Sequence, residues 1–227
     1  NSDNFDTIKV TTSHLPVTPN VDTKTAYIFT VYVPEGVSVS ALGVNDVPLN
    51  AIDLSKLVGL EELNLANTGL YTIDLSKNRL LHSLDLSNNN LSTLSLAGAS
   101  TYFSKNLLEN VNVSNNQLTD LTLHYVLAIR HLDISNNNLS KVGFADRDTV
   151  ITIDFSDADN LISIDLSNNK FTELDFTHCE KLQTLRASYN LLTSIVYPTT
   201  NNIDTLAIDG NKFTLATLPE QGSLKQI

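Results

Sequence analysis

The feature that most constrains this chain is a recurring frame of apolar residues closed by an asparagine. Residues 81 to 96 read LHSLDLSNNNLSTLSL, with leucines at 81, 84, 86 and 91 and Asn89 at the ninth position of the frame. Asparagine is poor in helix and strand interiors, so a fixed place for it belongs to the architecture. The frame returns as Leu108/Val111/Val113/Asn116/Leu118, Ile129/Leu132/Ile134/Asn137/Leu139, Leu161/Ile164/Leu166/Asn169/Phe171, Leu182/Leu185/Ala187/Asn190/Leu192 and Ile203/Leu206/Ile208/Asn211/Phe213. Two upstream copies keep the apolar frame without the asparagine: Leu60/Leu63/Leu65/Leu70 with Thr68, and Val39/Leu42/Val44/Leu49 with Val47. The ninth residues fall at 47, 68, 89, 116, 137, 169, 190 and 211, giving steps of 21, 21, 27, 21, 32, 21 and 21. A near-constant step of this length marks a solenoid.

One coil can be derived from local chemistry. Ser83-Leu84-Asp85-Leu86 alternates outward and inward, as a short strand with leucines on the core side does. Stacking pairs these strands into a parallel sheet at about 4.8 Å per coil, so eight coils span roughly 38 Å. Beyond the strand the chain turns with its polar backbone facing an apolar interior, where each unpaired group costs ~1–3 kcal/mol. The asparagine amide carries donors and an acceptor. Placed inward at the ninth position, it is expected to bond main-chain groups of its own coil and the next one. Asn89, Asn116, Asn137, Asn169, Asn190 and Asn211 form this ladder, while Asn88 and Asn90 suit the turn and face outward. The return half, as in Leu91-x-x-Leu94-Ser95-Leu96, is too short for a helix with its connections, which predicts short strands or extended turns.

At this point the chain resembles the leucine-rich-repeat family over residues 39–218. The wording LDLSNNNLSTLSL and LDFTHCEKLQTL is similar to the short-coil repeats of surface-exposed and secreted proteins of gut Bacteroidetes bacteria. The resemblance implies a repeat solenoid, a right-handed superhelix that is mostly β with little helix. It also implies a binding scaffold outside the cytoplasm, at a cell surface or secreted and often anchored as a lipoprotein. Val47, Thr68 and the two long steps depart from the pattern, which bears on coil regularity alone.

Three segments organise the chain. Residues 1–38 read as a β-rich cap with strands at 7–12 (TIKVTT) and 25–33 (TAYIFTVYV), covering leucines the first coil would expose. Residues 39–218 hold eight coils, with six extra residues within 97–107 and eleven between 139 and 153. Residues 219–227 form a tail or a truncated cap. The chain lacks methionine and starts at Asn1, so it reads as a mature or trimmed piece whose targeting signal, if it had one, is gone.

Composition narrows the partners. A formal charge of -11 argues against nucleic acid and anionic membranes, and no apolar run reaches the roughly 18 residues that span a bilayer. No cofactor is implied, and a monomer is expected. The single Cys179 reads as a buried structural thiol. The histidines His14, His82, His124, His131 and His178 lack metal-ligand spacing. Ser83, His131 and Asp133 lie near one face but recur at fixed repeat positions without a glycine-framed nucleophile elbow, so no catalytic residue is assigned. The sequons at Asn90, Asn112 and Asn138 follow from the repeat wording.

The outward strand row runs Gly43, Asn64, Asp85, Asn112, Asp133, Asp165, Arg186, Ala207. A second row, also taken as outward, runs Asn45, Ala66, Ser87, Ser114, Ser135, Ser167, Ser188, Asp209. Most of this face reads as a solvated edge repeated by duplication, with Asp133 and Asp165 as a candidate for a cation or sugar hydroxyls. Tight interfaces centre on Trp, Tyr or Arg, and Arg186 with Tyr189 combines two of these in one coil. The ligand site is therefore placed on Arg186 and Tyr189, extending to Asp165 and Asp133, for an unknown protein or glycan. The alternative is a spacer module of a larger surface protein.

Overall fold

The computed structural model describes residues 38–49, 51–96, 107–123, 127–140, 155, 158–200 and 202–214. The expected strands at 7–12 and 25–33, most of both insertions, and the tail lie outside these residues.

Eight three-residue strands, one per copy of the frame, form one parallel sheet. They are β1 (Ala41–Gly43), β2 (Glu62–Asn64), β3 (Ser83–Asp85), β5 (Asn110–Asn112), β7 (His131–Asp133), β8 (Ser163–Asp165), β10 (Thr184–Arg186) and β12 (Thr205–Ala207). The central residue of each strand points inward and is buried, from Leu42 through Leu84, Leu132 and Leu185 to Leu206. Pairing is in register from coil to coil, so Leu84 faces Leu63 on one side and Val111 on the other. The 27- and 32-residue steps leave this unchanged: β3 pairs with β5 and β7 with β8 in the same register. The longer steps therefore leave the strand register unaltered.

The return half carries the short strands expected of it. These are β4 (Thr93–Ser95) paired with β6 (Asp120–Thr122), and β9 (Glu173–Asp175) paired with β11 (Ser194–Val196), both parallel. No helix occurs among the described residues. Between the two walls lies one continuous core of leucines with Phe155, Phe171 and Phe176, and Phe155 stacks on Phe176 with ring centroids 4.7 Å apart. Each fully buried leucine contributes about 1.5–3 kcal/mol of transfer free energy. Cys179 is fully buried in this core, its thiol 3.8 Å from the Phe155 carbonyl, and burial pushes its pKa up to about 12.

The inward asparagines follow one bonding rule. Asn137 Oδ1 accepts from Leu118 N at 2.9 Å, while its Nδ2 donates to Ile134 O and Ser135 O in its own coil and to Val113 O in the preceding coil. Asn89, Asn116, Asn169, Asn190 and Asn211 repeat these contacts. The inter-coil bonds therefore run to the preceding coil, not to the next one as the sequence suggested. The cause is the turn that follows the strand, which carries the asparagine amide back under the carbonyl at the end of the earlier strand. Each such carbonyl is shared: Val113 O receives both Asn116 and Asn137, and Ile134 O both Asn137 and Asn169. Where Thr68 replaces the asparagine, its hydroxyl donates to Leu65 O at 2.9 Å and its own carbonyl receives Leu49 N at 2.8 Å.

Candidate functional site

The outward sheet face is built from the third residue of each strand. Register places Gly43, Asn64, Asp85, Asn112, Asp133, Asp165, Arg186 and Ala207 side by side. Most of the carboxylates and amides in this row serve their own turn. Asp85 Oδ1 accepts Ser87 N, Asp133 Oδ1 accepts Ser135 N and Asp165 Oδ1 accepts Ser167 N, each at 2.9 Å. Asn64 and Asn112 do the same for Ala66 and Ser114. This is the Asx turn, a side-chain oxygen replacing a backbone acceptor two residues on.

The second row differs from expectation. Ser87, Ser114, Ser135 and Ser188 are buried rather than outward, because the chain already curls inward after the strand and brings their side chains under the turn. The serine row is part of the turn and is not a contact surface.

One position further on, the backbone enters the left-handed region in every coil. Positive φ is found at Asp46, Asn67, Asn88, Asn115, Asn136, Asn168, Tyr189 and Gly210, with values between 53° and 65°. Asp, Asn and Gly tolerate this conformation, whereas a bulky side chain there is an outlier at a cost on the order of 1–3 kcal/mol. Tyr189 is that outlier, with φ 56°. Its ring lies over the backbone of Gly210, the equivalent residue of the next coil. A Cβ on Gly210 would stand 2.5 Å from Tyr189 Cδ1 and 2.9 Å from Cε1, so the ring has its place only because residue 210 has no side chain. Tyr189 as a whole remains 61% exposed.

The surroundings of this ring are polar. The Ser188 hydroxyl donates to Asp209 Oδ1 and holds that carboxyl below its usual range, with a smaller contribution from the Tyr189 hydroxyl. Arg186 is exposed on β10, and its register partner on β8 is Asp165. They form no ion pair; the one ion pair among the described residues is Arg130 with Glu109, at 4.0 Å. Asp133, one strand beyond Asp165, is half-buried, and burial raises its pKa despite the hydrogen bonds from Ser135. The structure thus brings Arg186 beside Asp165 and Asp165 beside Asp133, with Tyr189 at the end of the Arg186 strand.

Among the described residues, no group of three or more His, Cys, Asp and Glu side chains is gathered to hold a metal ion. Ser83 on β3 and His131 on β7 are separated by β5, about two strand spacings or ~9.6 Å, beyond hydrogen-bond reach. No helix among these residues is long and apolar enough to cross a membrane.

Residues 80–100, 128–146 and 160–182 match the family model described as Leucine Rich Repeat. These three stretches are leucine-rich repeats within the eight-coil sheet. Similar solved structures carry the same fold at low identity. The functional domain of InlJ from Listeria monocytogenes is 22% identical with a TM-score of 0.58, over 77% of this chain and 40% of that one. The leucine-rich repeat domain of APL1B is 22% identical with a TM-score of 0.52, over 83% and 66%. A chain of the LRIM1/APL1C complex is 23% identical with a TM-score of 0.51, over 70% and 36%. The chain therefore spans under half of two of these structures and about two thirds of the third. No curated protein sequence matches it significantly.

Leucine-rich repeats commonly act as protein-binding scaffolds. In this one, Gly210 and Asp209 are the site residues that the sequence did not single out. The signal was present in the repeat frame: residue 210 aligns with the asparagine just before the ladder asparagine, so a tyrosine and a glycine in consecutive copies mark a local exchange.

Proposed function

We propose that the chain is a non-enzymatic, extracellular binding scaffold of a bacterial cell surface, whose contact with a protein or glycan centres on Arg186 and Tyr189 and extends to Asp165. The observation that carries this is Tyr189: in a row otherwise made of Asn, Asp and Gly, it keeps a strained backbone in order to hold an aromatic ring at the surface. Strain of this kind persists where the surroundings over-determine it, and it clusters at ligand sites. Extracellular placement draws on the similarity of the coil wording to short-coil surface proteins. Asp133 contributes less, because its charge is disfavoured by burial and one oxygen is bound by Ser135 N.

A second reading, a spacer without a ligand, is favoured by the Asx turns that occupy most of the outward row. An array of host proteins and glycans probed with the purified chain separates the two. A binder gives a saturable signal that Arg186→Ala with Tyr189→Ala weakens at least tenfold, about 1.4 kcal/mol. A chain that binds nothing on the array is a spacer. Loss of binding only on altering Asn64 would move the site to the N-terminal coils.

A further inference from the structure

We infer that the Tyr189 ring is a stacking platform for a pyranose unit of a neutral glycan, with Arg186 and Asp165 as the hydrogen-bonding pair beside it. The inference rests on the scaffold reading above and narrows what the scaffold binds.

Three observations converge on this chemistry. First, the ring is set in advance. It is backed by the Gly210 backbone, the residue as a whole is 61% exposed, and Asp209 of the next coil lies nearby, its register set by the Tyr189 N to Asp209 O hydrogen bond at 2.8 Å. A ring fixed on one side loses little side-chain freedom on binding. It offers a flat apolar body with a polar tip, which suits the axial C–H face and equatorial hydroxyls of a sugar.

Second, Arg186 and Asp165 are neighbours across two strands, about 4.8 Å apart at the backbone, yet they do not pair with each other. The guanidinium offers several N–H donors in a planar fork, and Asp165 has one oxygen beyond that taken by Ser167 N. A donor fork beside an acceptor matches vicinal hydroxyls, each of which donates and accepts. Their charges cancel, so the matching ligand is uncharged. Arg186 precedes Tyr189 by three residues, at most ~10 Å of chain, which is within reach of one or two sugar rings.

Third, the neighbours disfavour other occupants. Asp133 and Asp165 in the row, Asp209 at the ring and the formal charge of -11 repel a polyanion. A protein surface needs apolar area around its anchors. Among the described residues, the other large exposed apolar side chains, Val58, Tyr71, Leu80, Leu127, Leu191 and Val196, all lie outside the outward strand row.

The test is affinity electrophoresis of the chain through gels containing a soluble β-glucan, an α-glucan, a mannan, a galactomannan or, as the polyanion arm, heparin. At least one neutral polysaccharide is expected to retard the wild-type chain, and heparin is not. Tyr189→Asn, which installs the residue common at this backbone position, should weaken the retardation at least tenfold. Gly210→Ala, which displaces the ring without removing it, should do the same, while Tyr189→Phe should stay within about threefold. Far-UV circular dichroism and thermal midpoints confirm that each variant is folded. Retardation by heparin alone, by no neutral polysaccharide, or equally in Tyr189→Asn and wild type would overturn the inference. If instead a protein on the array binds through Arg186 and Tyr189 while every polysaccharide is ignored, the glycan inference falls and the scaffold reading stands.

Discussion

Replacing Asn137 with leucine should destabilise the solenoid by about 3 kcal/mol, a figure that follows from counting what each bonded group loses. Leu118 N has Asn137 Oδ1 as its acceptor, and in the variant this buried amide is left unpaired, costing ~1–3 kcal/mol. The three carbonyls that receive Asn137 Nδ2 fare better. Val113 O keeps Asn116, Ile134 O keeps Asn169, and Ser135 O keeps the backbone amide of Asn115. Each therefore loses one of two donors, a net ~0.5–1.5 kcal/mol. The sum, about 2.5–7.5 kcal/mol, is an upper range because the coil relaxes and the leucine buries apolar surface, which places the expectation near its lower end.

The sharing of carbonyls also predicts a gradient along the ladder. Asn211 is only partly buried, so water can replace its bonds to Leu192 N, Ala187 O and Ile208 O. Asn211→Leu should cost no more than about half as much. Asn137→Thr should fall between wild type and leucine, since Thr68 shows a hydroxyl serving one carbonyl at this position. Urea unfolding followed by circular dichroism, with coincident tyrosine fluorescence to check for one transition, gives all three values. An unchanged midpoint for Asn137→Leu, or equal losses at 137 and 211, would refute the shared-ladder account.

Other expectations follow from single sites. Cys179, fully buried with its pKa pushed up to about 12, should be unreactive to thiol reagents at pH 8 in the native chain and label at once in urea. Asp133→Asn keeps an acceptor for Ser135 N, as Asn112 does for Ser114 N, and removes a charge that burial disfavours. Because the folded pKa of Asp133 is raised, its contribution to stability is full below the ordinary value of 3.8 and is lost as pH rises through the folded value. The variant should therefore gain stability relative to wild type in urea melts at pH 7, with the gain vanishing toward pH 3. Tyr189→Asn should leave stability unchanged or raise it by up to about 1 kcal/mol, because relief of backbone strain offsets the packing that the ring makes on Gly210. A drop beyond about 1 kcal/mol would show the ring to be a fold element.

The fold was largely legible because the frame fixes both period and face: Leu84, Val111 and Leu132 could be aligned by spacing alone, and the sheet pairs them as aligned. The return strands at 93–95 and 173–175 followed from the few residues left for that half. The turn was less legible. Alternation suggested that Ser87 and Ser135 face outward, but strand alternation ends at Leu86 and Ile134, and the left-handed residue two positions on carries the serines inward. The same turn sets the direction of the ladder, which side-chain type alone leaves open. Arg186 and Asp165 could be paired from spacing, whereas the Gly210 seat depends on where a ring goes in three dimensions.

That seat bears on the choice between a scaffold with a ligand and a bare spacer. A spacer needs only the fold, and at the eight left-handed positions the fold is served by Asn, Asp or Gly, as seven of them show. Tyr189 raises the backbone energy there, and the residue, 61% exposed, recovers little by burial. The ring is accommodated by a glycine in the neighbouring coil, where any Cβ would collide with it. Two consecutive copies thus depart from the asparagine of Asn67, Asn88, Asn115, Asn136 and Asn168 in complementary ways, one by adding a ring and the other by making room for it. An effect confined to folding would be met more cheaply by asparagine at both positions. The complementary pair makes sense where the surface face of the ring has something to touch.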